Sequence, residues 1–342
     1  MKRFRLSFCL LFTAALFALF LLSPDVVQQT AYESVLFSAS VIIPSLFPGF
    51  VLSDLLIGLW QGNARSSGGL FFRIFRLPSP CFRCWLIGLF AGFPAATDCA
   101  VQAYRRGEIS RFEAERCLSF TNNPGIIFVV CAVGSGLFGS FSVGIYLWSI
   151  QTLAAVLVGI FFADPMRKPA DRAIPVETIP SLKTIFPKSV VSSVGAVLNI
   201  CGFIVFFRVL IAVLTNAVPL RGIRIVLSGL LEMTCGITAW KEFSYFSALA
   251  VSLILGWSGF SVHFQILNLL SETDLSPRYY FPGKILQAVL SALLSSVTYP
   301  FFFDSGECSQ GTVIPFILLA FALLSVFITR FRKEYPYGKR NF

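Results

Sequence analysis

Apolar residues fall along this chain in ten long runs, at 6–23, 34–60, 84–104, 119–140, 141–163, 189–215, 222–240, 244–270, 283–303 and 311–329. Each is close to the roughly 20 residues that an α-helix needs to cross the hydrocarbon of a bilayer. The runs lack the apolar–polar alternation of barrel strands, so helices account for them better than a β-barrel. The pattern predicts an all-α polytopic membrane protein.

Charge changes the count of crossings, because Lys and Arg collect on cytoplasmic loops. The basic residues before Leu6 start the N-terminus inside. The loop 24–33 holds Asp25 and Glu33 without Lys or Arg and fits outside, whereas 61–83, with Arg65, Arg73, Arg76 and Arg83, fits inside. If 84–104 crossed, the next loop would lie outside, yet 105–118 carries Arg105, Arg106, Arg111 and Arg116. A re-entrant hairpin resolves the conflict. Gly92-Phe93-Pro94 supplies its break, since Pro removes a backbone donor and clashes with the preceding turn. The basic 164–188 loop, the loop near Arg278 and Lys284, and the tail from Arg330 to Arg340 fall inside; 304–310, with Asp304 and Glu307, falls outside.

Parity then requires a second hairpin. Either 222–240 turns back from outside, which makes 34–163 and 189–303 inverted repeats, or 244–270 turns back from inside, which makes them parallel. An echo between "GFPAATDCAVQAYRRGEIS" and "GFSVHFQILNLLSETDLS" favours parallel halves. The chemistry of the breaks favours inverted ones, and under that arrangement 23 of the 27 Lys and Arg lie inside. The expectation is a single membrane domain over 1–342, with about eight transmembrane helices and two re-entrant hairpins. Helices 1–23 and 311–329 flank the repeats, and both termini are cytoplasmic.

Composition agrees. Of 342 residues, 56% are hydrophobic and 13% charged, against about 25% charged in soluble domains. The basic surplus is what inside loops require, and no nucleic-acid partner is expected. The nine Cys are odd in number and scattered, which argues against a disulfide framework. Cys81 and Cys84 form a lone C-x-x-C without a second pair, so no metal is expected, nor any cofactor. The run from Leu6 to Leu22 exceeds a signal-peptide core and no A-x-A site follows it, so it reads as a retained helix.

Polar groups inside apolar spans are costly, and they mark function. Four clusters qualify: Thr97, Asp98 and Gln102 after the first break; Asn122 and Asn123 before Pro124-Gly125; Glu232 and Thr234 in the second candidate hairpin; and Ser258, Ser261 and Gln265 after Gly256-Trp257. Gly92, Pro94 and Gly236 are the residues expected to break the hairpins. A broken helix exposes N–H groups at one new end and carbonyls at the other. Two such breaks at matching places describe a solute site at mid-membrane. Blander roles compete: Asn122-Asn123 could only cap a helix, Glu232 could pair with Arg208, and His263 could be a packing residue.

The run "LFAGFPAATDCAVQAYRRGEISRFEAERCLSFTNNPGIIFVVCAVGSGLFG", with the later "NICGFIVFF", "GLLEMTCG" and "GWSGFSVHFQ", resembles the sporulation integral membrane protein YlbJ family over about 34–300. That family resembles the nucleoside-recognition, or Gate, domain proteins, among them the concentrative nucleoside transporters. Its pattern has Gly-Tyr-Pro and then Gly-Ala in the first hairpin, where this chain has Phe93 and Ala96. All ten polar residues named above are expected to bind solute, and the resemblance implies this for nine of them, Gln102 being named from its place after the first break alone. The resemblance also implies a role in endospore formation, in the cell membrane or the outer forespore membrane, with dipicolinate export as the activity. The alternatives are a non-transporting scaffold for spore envelope assembly and a nucleoside transporter. No enzyme is expected, since one His and no nucleophile–base pair or P-loop stand in the chain. The expected partners are a small-molecule solute such as dipicolinate and the lipid bilayer, and a homo-oligomer is left open.

Overall fold

The computed structural model describes residues 2–59, 69–164, 181–216, 221–240 and 242–303, and among them every regular element is helical. The N-terminal part comprises α1 (Lys2–Leu21), α2 (Pro24–Phe37), a π-helical stretch Ser38–Ile42, α3 (Ile43–Leu59) and α4 (Leu70–Phe75). Next come α5 (Ser79–Phe90), α6 (Ala95–Arg105), α7 (Arg111–Thr121), a second π-helical stretch Phe128–Leu137 and α8 (Phe141–Phe161). The remainder is α9 (Leu182–Asn216), α10 (Arg221–Leu231), α11 (Met233–Thr238), α12 (Tyr245–Trp257), α13 (Gly259–Ser271) and α14 (Tyr280–Phe303). Five helical segments are long and apolar enough to cross a membrane: Pro24–Leu55, Phe141–Phe161, Leu182–Asn216, Tyr245–Ser271 and Tyr280–Phe303. Shorter apolar helices accompany them, and the chain is a multi-pass helical membrane protein. The expected span 311–329 lies outside the described residues.

The side-chain pattern on α14 shows what surrounds the fold. Its exposed positions are Ile285, Val289, Leu293, Val297 and Phe301, while Lys284, Gln287, Ser291, Ser295 and Thr298 are buried. Apolar groups face outward and polar groups inward, the reverse of a helix bathed in water. Such an outward stripe is satisfied by lipid.

Two expectations about loops are corrected. The stretch 24–33, read as an outer loop, is the first part of α2, because Pro24 occupies the opening position of the helix and Asp25 stands in its first turn. Most of 105–118, read as an inner loop, is α7. It starts at a capping box in which the Ser110 side chain accepts from the Glu113 backbone and Glu113 accepts from the Ser110 N–H.

α5 and α6 fold back on one another across Ala91–Pro94, and α10 and α11 do so across Glu232. By contrast α12 and α13 continue as one segment, Tyr245–Ser271, broken at Ser258. Of the two candidate second hairpins, 222–240 is the one whose arms fold together. The order is the same on both sides of the chain: a folded-back pair, a broken helix, then a long helix (α8 or α14). α14 packs against α7, α8 and α12, and so joins the two sets. α2, α3 and the 35-residue α9 pack together beside them.

Candidate functional site

The four breaks meet in pairs. In the first pair Gly92 bridges Pro124, and the Phe93 N–H donates to the Asn123 carbonyl at 3.0 Å. Gly92 adopts φ +83°, and a Cβ there would overlap the Gly125 nitrogen and lie 2.8 Å from the Asn123 oxygen. A Cβ on Gly125 would in turn lie 2.6 Å from the Ala91 oxygen. Glycine is needed at both places because two backbones cross in contact. The second pair repeats the device. Gly259 has φ +82°, and a Cβ on it would lie 3.0 Å from the Met233 nitrogen and 3.2 Å from Glu232 Cα.

The break in the second hairpin falls at Glu232, which corrects its expected place at Gly236. Glu232 is extended and caps α11: its carboxylate accepts from the Thr234 N–H at 3.0 Å and the Cys235 N–H at 2.7 Å, and also from the Thr234 hydroxyl. A carboxylate suits that end of a helix. Gly236 lies within α11, where a Cβ would overlap Gly229 Cα, so it serves the close approach of the two arms. Among the described residues no ion pair joins Glu232 to Arg208, whose guanidinium lies 4.5 Å from the centre of the Phe37 ring.

Between the pairs lies a cavity of about 40 Å³, lined on one side by Phe93, Pro124, Gly125 and Phe128 and on the other by Glu232, Thr234, Ser261 and Gln265. It has room for about three water molecules. Gln265 is 3% exposed and its Oε1 has no partner among the described residues. Gly125 and Ser261 belong to the first turns after their breaks, where backbone N–H groups lack acceptors within the helix. A wider cavity of about 510 Å³ adjoins it. Phe128 and Thr234 line both, and the two π-helical stretches contribute Ser40 and Val41 on one side and Cys131 and Gly136 on the other. π-helical turns are rare and recur at functional sites.

Four of the ten candidate solute residues therefore gather at the small cavity: Glu232, Thr234, Ser261 and Gln265. Three others gather at the first crossing and are occupied there. Thr97 Oγ1 donates to Asn122 Oδ1 at 2.6 Å, while the Asn122 and Asn123 amides donate to the Leu118 and Phe120 carbonyls at 3.2 and 2.9 Å. These two Asn close the carbonyl end of α7. Ser258 donates to Leu255 O in its own helix at 3.1 Å. Asp98 and Gln102 bond each other at 2.6 Å on the outer face of α6, away from the cavity.

The sequence reading missed a buried polar array on α14. Lys284, expected in an inner loop, is 1% exposed in the second turn of α14. Its ammonium donates to the Asn122 carbonyl at 3.1 Å and to Gln287 Oε1 at 3.0 Å. Gln287 Nε2 donates to Asn123 Oδ1 at 2.7 Å, Ser291 to Gln151 Oε1 at 3.2 Å, and Gln151 Nε2 to the Ser252 carbonyl at 2.8 Å. One chain of hydrogen bonds thus runs from the first crossing through α14 and α8 to α12. The signal was present as polar residues at helical spacing, 284, 287, 291, 295 and 298, within an apolar run.

At one end of the bundle, charged residues link the sets. Arg105 pairs with Glu272 at 3.0 Å, Tyr104 donates to Asp274 at 2.8 Å, and the buried Glu115 takes Arg111 at 2.8 Å, Arg278 at 2.6 Å and the Ser276 N–H at 3.0 Å. The Glu115 carboxylate bonded to Arg111 raises the pKa of that guanidinium. His263 donates to or accepts from the Tyr280 hydroxyl through Nδ1 at 2.8 Å and stands edge-on to Trp257, which is a packing environment. Among the described residues no cluster of His, Cys, Asp and Glu could hold a metal ion.

No protein-family model matches the chain, and no solved structure matches it. It is 33% identical, over 298 aligned residues, to the sporulation integral membrane protein YlbJ of Bacillus subtilis (strain 168). The alignment covers 74% of this chain and 72% of that protein. With that identity over most of both chains, this helical membrane protein belongs to the family of the sporulation integral membrane protein YlbJ.

Proposed function

We propose that the protein is a membrane transporter of a small polar or anionic solute, acting in endospore formation, with dipicolinate export toward the forespore as its activity. The observation that carries this reading is the cavity between the two crossed pairs of helix breaks. Irregular backbone inside an apolar protein is retained where it lines a cavity or binds a ligand. Here Gln265 presents an unpartnered amide oxygen, and an amide can equally turn its NH2 inward. The first turns after Pro124 and Ser258 offer N–H groups that suit carboxylate oxygens. The N-terminus of α11 is already occupied by Glu232, so the donors for an anion lie on the two broken helices and not on that hairpin. The 40 Å³ space fits an occluded state without solute, while the adjoining 510 Å³ is of the size that holds a small molecule. Loading the site then requires Phe128 and Thr234 to part. The sporulation role rests on the name of the Bacillus subtilis relative and on the family resemblance. The re-entrant hairpins and the inverted repeats belong to the same proposal, supported by the folded-back pairs α5–α6 and α10–α11.

The test is complementation. In a spore-forming host lacking its own family member, this chain restores dipicolinate to the spores, and Glu232→Gln or Gln265→Ala reaches the membrane at normal level without restoring it. Normal dipicolinate in the deletion strain, or full restoration by both variants, refutes the transport reading and favours a scaffold.

A further inference from the structure

Lys284 places a basic amine inside the bundle, where an apolar span ordinarily carries none. It is 1% exposed, and no carboxylate pairs with it among the described residues. An isolated buried ammonium is costly unless something nearby is negative and hydrogen-bonded to it. Its two acceptors are the Asn122 carbonyl and Gln287 Oε1. Asn122 closes α7 at the point where the helix is broken. That end carries the negative pole of the α7 dipole and carbonyls without helical donors. Broken helices in transporters commonly use such carbonyl ends to hold a free coupling cation.

We propose that Lys284 is a tethered cation, held at the carbonyl end of the first broken helix where a free coupling cation would otherwise bind. Solute movement then needs no external monovalent cation at this place. The proposal rests on the transport reading for its meaning but not for its test. The surroundings fit the assignment. Gln287 is itself fixed by Asn123, and Asn122 Oδ1 is taken by Thr97. The side chains of Gln287 and Asn122 are thus each held by other contacts, which keep the residues that supply both oxygens at this place. Lys284 acts here as a positioning residue: it ties α14 to the crossing formed by Gly92 and Pro124.

The test reads cation occupancy from the thermal stability of the full chain in detergent, without solute. Sodium, potassium, ammonium and choline chlorides are compared at equal ionic strength. The wild-type Tm is expected to be the same in all four. Lys284→Ala lowers Tm and opens a space beside Asn122, and sodium or ammonium then raises Tm saturably where choline does not. Lys284→Met lowers Tm, fills the space and shows no such recovery. A saturable rise with sodium in the wild type overturns the proposal, as does an Ala variant that responds no differently from Met. Should neither variant fold, the wild-type comparison still decides. A failure of dipicolinate transport would leave this result intact, so the two readings fail separately.

Discussion

Gly92→Ala tests whether the two breaks of the first pair truly cross in backbone contact. The control is Gly107→Ala. Gly107 has a similar φ, +72°, but a Cβ there meets nothing within 4 Å. Placing an L-residue in the left-handed region costs about 1–2 kcal/mol, and the loss of unfolded-chain entropy returns about 0.4–1 kcal/mol. Gly107→Ala should therefore destabilise by about 1 kcal/mol. Gly92→Ala carries the same conformational cost. In addition its Cβ overlaps the Gly125 nitrogen and lies 2.8 Å from the Asn123 oxygen, both backbone atoms that no rotamer change can move. Overpacking of that kind costs about 1–3 kcal/mol more, for a total of about 3 kcal/mol. At about 2 °C per kcal/mol for a chain of this size, the Gly92 variant should melt about 4 °C below the Gly107 variant. Intrinsic Trp fluorescence during heating of the purified protein measures both. Equal melting temperatures would refute the crossing, and with it the account of why glycine stands at 92 and 125.

Two further outcomes follow from the same contacts. Gln287→Leu leaves Asn123 Oδ1 and the Lys284 ammonium each short of a buried partner, and should lower stability by about 2–4 kcal/mol, read as a fall in Tm larger than that of Gln102→Leu on the exposed face of α6. Glu115→Ala, 1% exposed and bonded to Arg111, Arg278 and the Ser276 N–H, should cost about 3 kcal/mol, whereas Glu272→Ala, from an exposed pair with Arg105, should cost under about 1 kcal/mol; equal losses in denaturation would deny the burial of Glu115.

The breaks were legible because they are written in local chemistry. Gly92 and Pro94 cannot both sit in an uninterrupted helix, and Asn122-Asn123-Pro124-Gly125 combines a cap with a stop. Glu232 was legible as a polar residue inside an apolar run but not as the break itself. Gly236 drew the assignment because glycine ordinarily marks an interruption, while here it serves the packing of two helices. The 24–33 stretch was misread because charge counting treats any acidic, polar segment as loop, although Pro24 and Asp25 also open a helix. Lys284 was misread for the same reason: a lysine near the end of an apolar run looks like a loop charge. Its true setting depends on α7 and α8, which are remote in sequence. Asp98 and Gln102 sat close to the break in sequence, yet helical periodicity turns them away from the first crossing, where Thr97, one residue before Asp98, bonds Asn122.

The two-faced character of α14 bears on how any motion is shared out. Turning this helix about its axis would swing Gln287 and Ser291 into hydrocarbon and Val289 and Leu293 into the hydrogen-bonded interior, breaking several bonds at once with none gained. Sliding it along its axis would shear the same bonds. Were the protein to move, α14 would be the part held still. α6 is held by Thr97 at the first crossing and by Tyr104 and Arg105 at the charged end, so the short arm α11, whose capping bonds from Glu232 are local, is the part left to swing, and a label pair reporting on conformational change belongs between it and α14.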